Sequence, residues 1–437
     1  MKIIHTADLH LGQVLYQNYD REDEHEHFFK QLKNWCKEES PDALLVSGDI
    51  FDIQQPSATT KRFFNEYFVE LAKENPDMAI VITAGNHDSA SRIQADSSVW
   101  NAAGVRLVGT PPSIGSMDLP DGWQDKFIVR LESGYIVALP HMVGERPAVI
   151  QSILDRVEAK NTDGKPVILM AHAAITGTDI QGHGEVGKMR TQGLESMGHG
   201  WDYLALGHIH KPQTLGHPED ALKQTPVIYP SCVARYSGSA LHVSCDETYP
   251  HSVSVVEIPA HGADVTIRPL QIDELRHFFI LPDDGKGYAS EEDALTGVKD
   301  FCEKVGKGYF RLCVDAAVSL SSNFIQKVYD ILTPYDEEVR FNPKTIWAGE
   351  TKKEEDAKKP VFEVSELQQM DDPVDFIEKT RSQYQGLPDA DVLRKIFDEV
   401  RDEINRYEEE QKQKETQKEA KKKAKEDNVE KDNDQEE

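Results

Sequence analysis

Residues 82–92 read ITAGNHDSASR. An apolar, β-branched run at 78–83 stops abruptly at Gly85-Asn86-His87-Asp88. A turn at the end of a strand needs Gly and tolerates Asn. It has no use for an imidazole and a carboxylate beside them. The stretch therefore asks whether other strands of this chain finish in the same chemistry.

They do. The run at 2–7 is followed by Asp8-Leu9-His10, and the run at 43–47 by Gly48-Asp49-Ile50-Phe51-Asp52. The run at 167–171 delivers His172, and the run at 203–206 delivers Gly207-His208-Ile209-His210. Between the early runs, residues 25–37 and 60–73 repeat at helical spacing, with Phe63, Phe64, Tyr67, Phe68 and Leu71 on the second. Strands alternating with helices predict a layered α/β domain over 1–262. In such domains, ligands bind at the carboxyl ends of the strands, which brings the five endings together.

Asp8 and His10 are two apart, as are His208 and His210. An extended backbone would turn both members of each pair to one face and send Leu9 and Ile209 into the core. A glycine before Asp49, Asn86 and His208 allows a sharp turn or a close approach. The set of Asp8, His10, Asp49, Asn86, His172, His208 and His210 is too large for one ion and suits two, with a carboxylate bridging metals about 3.5–4 Å apart. Mixed imidazole and oxygen donors suit Mn, Fe or Zn. A single D-x-H or G-D pair arises often in turns and cores; the ordered set does not.

The 437 residues carry a net charge of −28, and residues 1–262 and 263–437 are each acidic. A protein that grips nucleic acid alone shows a basic footprint, so a local patch, bound metal or a partner must supply the cations here. Five cysteines without a CxxC pair fit thiols in a reducing compartment. The opening MKIIHTADLH lacks a leader's apolar run, no stretch reaches membrane-spanning length, and the expected location is the cytoplasm. No G-x-x-x-x-G-K-[ST] loop is present.

Residues 263–348 read as a small α+β accessory domain, and 349–372 as a polar linker. Two helices are expected within 373–407, around Gly386-Leu387-Pro388. In the second, Val392, Leu393, Ile396, Phe397, Val400, Ile404 and Tyr407 form an apolar stripe suited to docking on a partner helix. The tail at 408–437 is charged, low in complexity and expected to be disordered.

The ordered motif set over residues 1–211 resembles the calcineurin-like metallophosphoesterase superfamily. The opening MKIIHTADLHLG, the GDIFD variant and the ending after DDPVDF narrow the resemblance to the SbcD-type nuclease subunits of bacterial SbcCD complexes. That resemblance implies a four-layer α-β-β-α sandwich with a capping accessory domain and a C-terminal, partner-binding helix pair. It implies two divalent ions, Mn2+ foremost. Asp8, His10, Asp49 and His210 would hold one; Asp49, Asn86, His172 and His208 would hold the other. His87 would face the substrate and protonate the leaving oxygen, with Asp52 and Asp88 orienting His87 and the ligand imidazoles. The implied activity is hydrolysis of DNA phosphodiesters, as a 3′→5′ duplex exonuclease and a single-strand or hairpin endonuclease, in repair, recombination and replication. The implied partner is an SbcC-like SMC-type ATPase, in a heterotetramer with two of each chain built on a homodimer of this subunit. The alternative is a small-molecule metallophosphodiesterase or phosphatase, which has no need of the helix pair.

Two departures stand out. Phosphoprotein phosphatases of the superfamily follow GDxxD with Arg-Gly and use GNHE, whereas this chain has Ile53-Gln54 and Asp88. The Tyr-x-Gly-Ser common in SbcD-like chains reads Tyr229-Pro230-Ser231-Cys232. Of the remaining histidines, His25 and His27 read as a solvated helix face, His141 as packing, and His183, with Lys188 and Arg190, as a surface loop.

Overall fold

The computed structural model describes residues 1–348 apart from 17, 113–120, 182–190, 218–219, 221–222, 224, 245–246, 248, 285 and 336–337. The expected linker (349–372), helix pair (373–407) and tail (408–437) lie outside the described residues, as do His183, Lys188 and Arg190.

The chain opens with β1 (Lys2–Thr6), a short hairpin of β2 (Val14–Leu15) and β3 (Tyr19–Asp20), α1 (Glu22–Glu39), β4 (Ala43–Ser47), α2 (Ala58–Glu74), β5 (Ala79–Thr83), α3 (Ala90–Ala102) and β6 (Val105–Val108). β1, β4, β5 and β6 pair in parallel. Their side chains alternate between two cores. Ile4, Leu44, Val46, Ile80 and Ile82 pack with Phe28, Phe29 and Leu32 of α1 and Phe64, Phe68 and Leu71 of α2. Ile3, Leu45 and Val81 turn the other way, onto a second sheet. Burial on both faces is why these strands read as unbroken apolar runs. Ser57 starts α2 by accepting a hydrogen bond from Thr60 N at 3.0 Å.

There follow β7 (Ile128–Arg130), β8 (Tyr135–Ala138), α4 (Pro147–Glu158), β9 (Val167–His172), β10 (Tyr203–Gly207), β11 (Gln213–Thr214), β12 (Val227–Tyr229), β13 (Val233–Tyr236), β14 (Ser252–Glu257) and β15 (Val265–Gln271). The second sheet has the order β11-β13-β10-β9-β8-β7 and shares its core with Ile150, Ile153, Leu154 and Val157 of α4. The first sheet has the order β12-β15-β14-β1-β4-β5-β6. The expected boundary after residue 262 falls inside the β14–β15 hairpin, which pairs from Ser252↔Gln271 to Glu257↔Thr266, so the first sheet runs on to Gln271. The Ser231–Cys232 departure lies where β13 begins: Ser231 Oγ donates to Asp202 Oδ1 at 2.9 Å, at the end of the second sheet away from the strand-end residues.

A third sheet, β16 (Phe278–Leu281), β17 (Gly308–Asp315) and β18 (Val339–Ala348), is parallel and carries α5 (Glu291–Val305) and α6 (Phe324–Leu332). It has its own core, with Val298, Phe301, Phe310, Phe324, Val328 and Phe341. Its seam with α1 is charged and buried. Tyr309 Oη and Arg340 Nη1 donate to Glu24 Oε1 at 2.5 and 2.9 Å. Arg21 Nη2 donates to Glu24 Oε2 at 2.6 Å, and Arg21 Nη1 to Gln13 Oε1 at 2.7 Å.

His25 departs from its expected solvated position. It is buried, with ring nitrogens 3.0 Å from Arg21 O and 2.9 Å from Leu9 O, because α1 packs this face against the loop after β1. His27 is half-buried and faces Asp273. No helix among the described residues is long and apolar enough to cross a membrane.

Candidate metal centre

The endings of β1, β4, β5, β9 and β10 converge, but the backbone does not stay extended as the two-residue spacing suggested. Asp8, His10, Asp49 and His208 all have left-handed φ, at 51°, 45°, 47° and 98°. The chain curls as it leaves each strand, and the curled loops bond to one another. Asp8 N donates to Gly48 O at 3.0 Å, His10 N to Asp49 O at 3.1 Å and Leu11 N to Ile50 O at 2.9 Å. Leu9 and Ile209 are buried as expected. Two glycines make the approach possible. A Cβ on Gly48 would lie 2.2 Å from His172 Nδ1, and one on Gly207 would lie 1.8 Å from Ser47 O.

Asp8, His10 and His210 bring one donor atom each to within 4.8 Å of one another, and so do Asp49, His172 and His208. Asp49 lies between the groups, its Oδ2 being 3.9 Å from His10 Nε2 and 3.3 Å from His172 Nε2. Asn86 joins the second group through Oδ1, 2.9 Å from His172 Nε2. Asp8, His10, Asp49, His172 and His210 are buried, whereas Asn86 and His208 are half-buried. His87 is exposed at the mouth of the cluster. Its amide donates to Asp49 Oδ1 at 2.8 Å and its Nδ1 donates to Asp52 O at 2.7 Å. All seven strand-end residues and His87 therefore share one site.

The two outer aspartates act differently from each other. Asp52 does touch imidazoles, holding His87 through its carbonyl and standing 3.2 Å from His10 Nδ1 with its carboxylate. Asp88 instead accepts three backbone N–H groups, from Gly85 at 2.8 Å and from Ile50 and Phe51 at 3.0 Å. It ties the GNHD turn to the loop after β4. The residue that sequence reasoning missed is Glu247. It is 1% exposed, and its Oε1 accepts from His210 Nδ1 at 2.9 Å. One glutamate in a polar loop, remote from every motif, carries no pattern that would have found it. His141, expected to pack, borders the second group with Nδ1 3.1 Å from His172 O.

The charges are arranged for cations. Burial, with the neighbouring Asp49 charge, raises the Asp8 carboxyl against the pull of His172 and His210. Burial also opposes Asp49, yet His172, His10 and His87 hold it well below the usual carboxylate range. His172, despite burial, is pushed up to about 9, chiefly by Asp49. His10 Nε2, buried without a hydrogen-bond partner among the described residues, is left as a donor atom aimed into the cluster. Imidazole and carboxylate donors of this kind, gathered at this spacing, fit divalent metal.

Comparisons agree with this geometry. Residues 1–212 match the family model for calcineurin-like phosphoesterases, a metal-using domain. The SbcD component of nuclease SbcCD from Rhodobacter capsulatus is 29% identical over 295 residues, 60% of this chain and 68% of that protein. The Bacillus subtilis protein of the same name is 29% identical over 59% of this chain and 66% of its own length, and the Escherichia coli K12 protein 27% identical over 56% and 62%. The chain thus spans about two thirds of the length of these relatives. Among solved structures, a Pseudomonas putida nuclease MPE aligns at a TM-score of 0.20 and 16% identity, over 39% of this chain and 62% of that one, and bears no weight. On the converging strand ends and on these likenesses, the chain is SbcD-like, with its first 212 residues matching the calcineurin-like phosphoesterases.

Proposed function

We propose that this chain is a metal-dependent DNA nuclease, the SbcD-type component of an SbcCD-like complex. The observation that carries the reading is the pair of donor groups sharing Asp49, with an exposed imidazole at their mouth. Asp8, His10, Asp49 and His210 would hold one Mn2+ ion; Asp49, Asn86, His172 and His208 would hold the other. Bound divalent ions supply positive charge for a phosphodiester and a nucleophile at neutral pH. His87 does the proton work. Its Nδ1–H is committed to Asp52 O, so Nε2, when the ring is in its imidazolium form, is the nitrogen that gives a proton to the leaving oxygen. The two sheets with their outer helices form the four-layer sandwich, and β16–β18 with α5 and α6 form the accessory cap.

The partner is an SMC-type ATPase of the SbcC kind, docked on the helix pair at 373–407, with two of each chain and a homodimer of this subunit at the centre. Its cations answer the acidity of this chain. The substrates are duplex ends, cut 3′→5′, and single strands or hairpins, in cytoplasmic DNA repair, recombination and replication.

The test is Mn2+-dependent cleavage of an end-labelled hairpin duplex, with and without partner and ATP, beside His87→Ala. The expected result is cutting that His87→Ala lowers about 10²–10⁴-fold while metal content stays unchanged. Hydrolysis of a small phosphodiester with no cutting of DNA, even with partner present, would transfer the site to the small-molecule reading.

A further inference from the structure

His172 and His210 are backed by different groups. His172 Nδ1 donates to a neutral acceptor, Ser47 O, at 2.9 Å. His210 Nδ1 donates to a carboxylate, Glu247 Oε1, at 2.9 Å. That carboxylate is itself held in place. Its second oxygen accepts from Val243 N at 3.1 Å and stands 3.3 Å from His251 Nε2. His251, fully buried, places Nδ1 2.9 Å from Ser239 O. Ser239 N in turn donates to His210 O at 3.0 Å. The circuit closes: His210 is fixed at its ring by Glu247 and at its carbonyl by Ser239, and the two anchors are joined through His251.

We infer that Glu247 is a positioning residue that fixes His210 with Nδ1–H outward and Nε2 toward Asp8 and His10, and that it strengthens metal binding in the Asp8/His10/His210 half of the centre. A carboxylate behind a ligating imidazole fixes the tautomer, fixes the ring plane and makes the donor nitrogen more basic. A backbone carbonyl behind His172 does the first two with less of the third.

The inference rests on the metal reading proposed above, and the experiment separates the two. Mn2+ is titrated into the purified full chain by calorimetry, with free Mn2+ followed by electron paramagnetic resonance, for wild type, Glu247→Gln and Glu247→Leu. Thermal melts in chelator report folding. The expected wild-type result is two Mn2+ per chain. Glu247→Leu weakens one of them about 10–100-fold and leaves the other in place. Glu247→Gln keeps an acceptor for Nδ1–H but not the charge, and falls between. If Glu247→Leu does not fold, Glu247→Gln alone decides: wild-type affinity at both ions overturns the inference. Wild type that binds two ions, with both variants binding them equally well, overturns it while the metal reading stands. Wild type that binds no Mn2+ overturns both.

Discussion

Asp88 lends itself to a calculation that involves the metal. Its carboxylate accepts three buried N–H groups, Oδ1 from Phe51 and Oδ2 from Gly85 and Ile50. Asp88→Asn keeps the shape but offers one acceptor oxygen. Placed at the Oδ2 position, the amide oxygen retains two bonds and sets its NH2 against Phe51 N. An orphaned buried donor costs about 1–3 kcal/mol. Against that loss stands a gain. Burial, with the Asp49 charge, pushes the Asp88 carboxyl up to about 6 from 3.8 against the pull of its three N–H groups. At pH 7.5 the ionised group therefore destabilises the fold by about 3 kcal/mol, net of those bonds, which Asn escapes. The two nearly cancel, and the substitution is close to neutral in chelator. Cations bound beside Asp49 cancel its repulsion of Asp88, though not the burial, so with saturating Mn2+ the substitution becomes destabilising. The assay is urea unfolding of wild type and Asp88→Asn at pH 7.5, in EDTA and in Mn2+. A destabilisation equal under both conditions would refute the reasoning, because it would mean that Asp88 does not feel the charge on the centre.

Gly207→Ala forces a Cβ to 1.8 Å from Ser47 O and 2.9 Å from His172 Nδ1; the ends of β10 and β4 must part, with about 1–3 kcal/mol of lost stability and weaker Mn2+ binding by calorimetry. Glu24→Leu leaves Arg21 and Arg340 buried without their shared carboxylate, which costs about 3–5 kcal/mol in urea unfolding; adding Arg21→Met should restore part of it. Burial and the Arg21 charge push His25 down to about 4 from 6.5. A depressed histidine contributes stability that is complete above 6.5 and lost as pH falls toward 4. Between pH 7.5 and 5.5 wild type should therefore lose about 1.4 kcal/mol more than His25→Gln, and parallel curves would refute the burial of a neutral ring.

The site was legible because metal-capable side chains follow buried parallel strands, and those strands announce themselves as unbroken apolar runs. Other elements hid for identifiable reasons. α3 buries only Ile93 and Trp100, seven residues apart, so it has no stripe. β14 is buried on both faces yet spends Ser252 and Ser254 inside, which breaks the apolar run. β15 contains Pro269, a residue that argues against a strand unless it lies where no ladder donor is needed. The left-handed turns at Asp8, His10, Asp49 and His208 are set by the loops that pair across the sheets, and no local residue preference announces them. His25 and Glu247 owe their roles to segments far away in the chain, Leu9 and His210.

Those four left-handed residues carry a consequence for how such a protein can be improved. Each non-glycine residue in that conformation holds about 1–3 kcal/mol of backbone strain, and glycine would release it at the smaller cost of added freedom in the unfolded chain. Asp8 adds the burden of a carboxyl whose ionisation its surroundings oppose. A library screened for heat resistance alone would drift toward glycine at these positions, and the survivors would be sturdier and inert. Only a screen that also demands turnover would keep the histidines and aspartates where the fold least wants them.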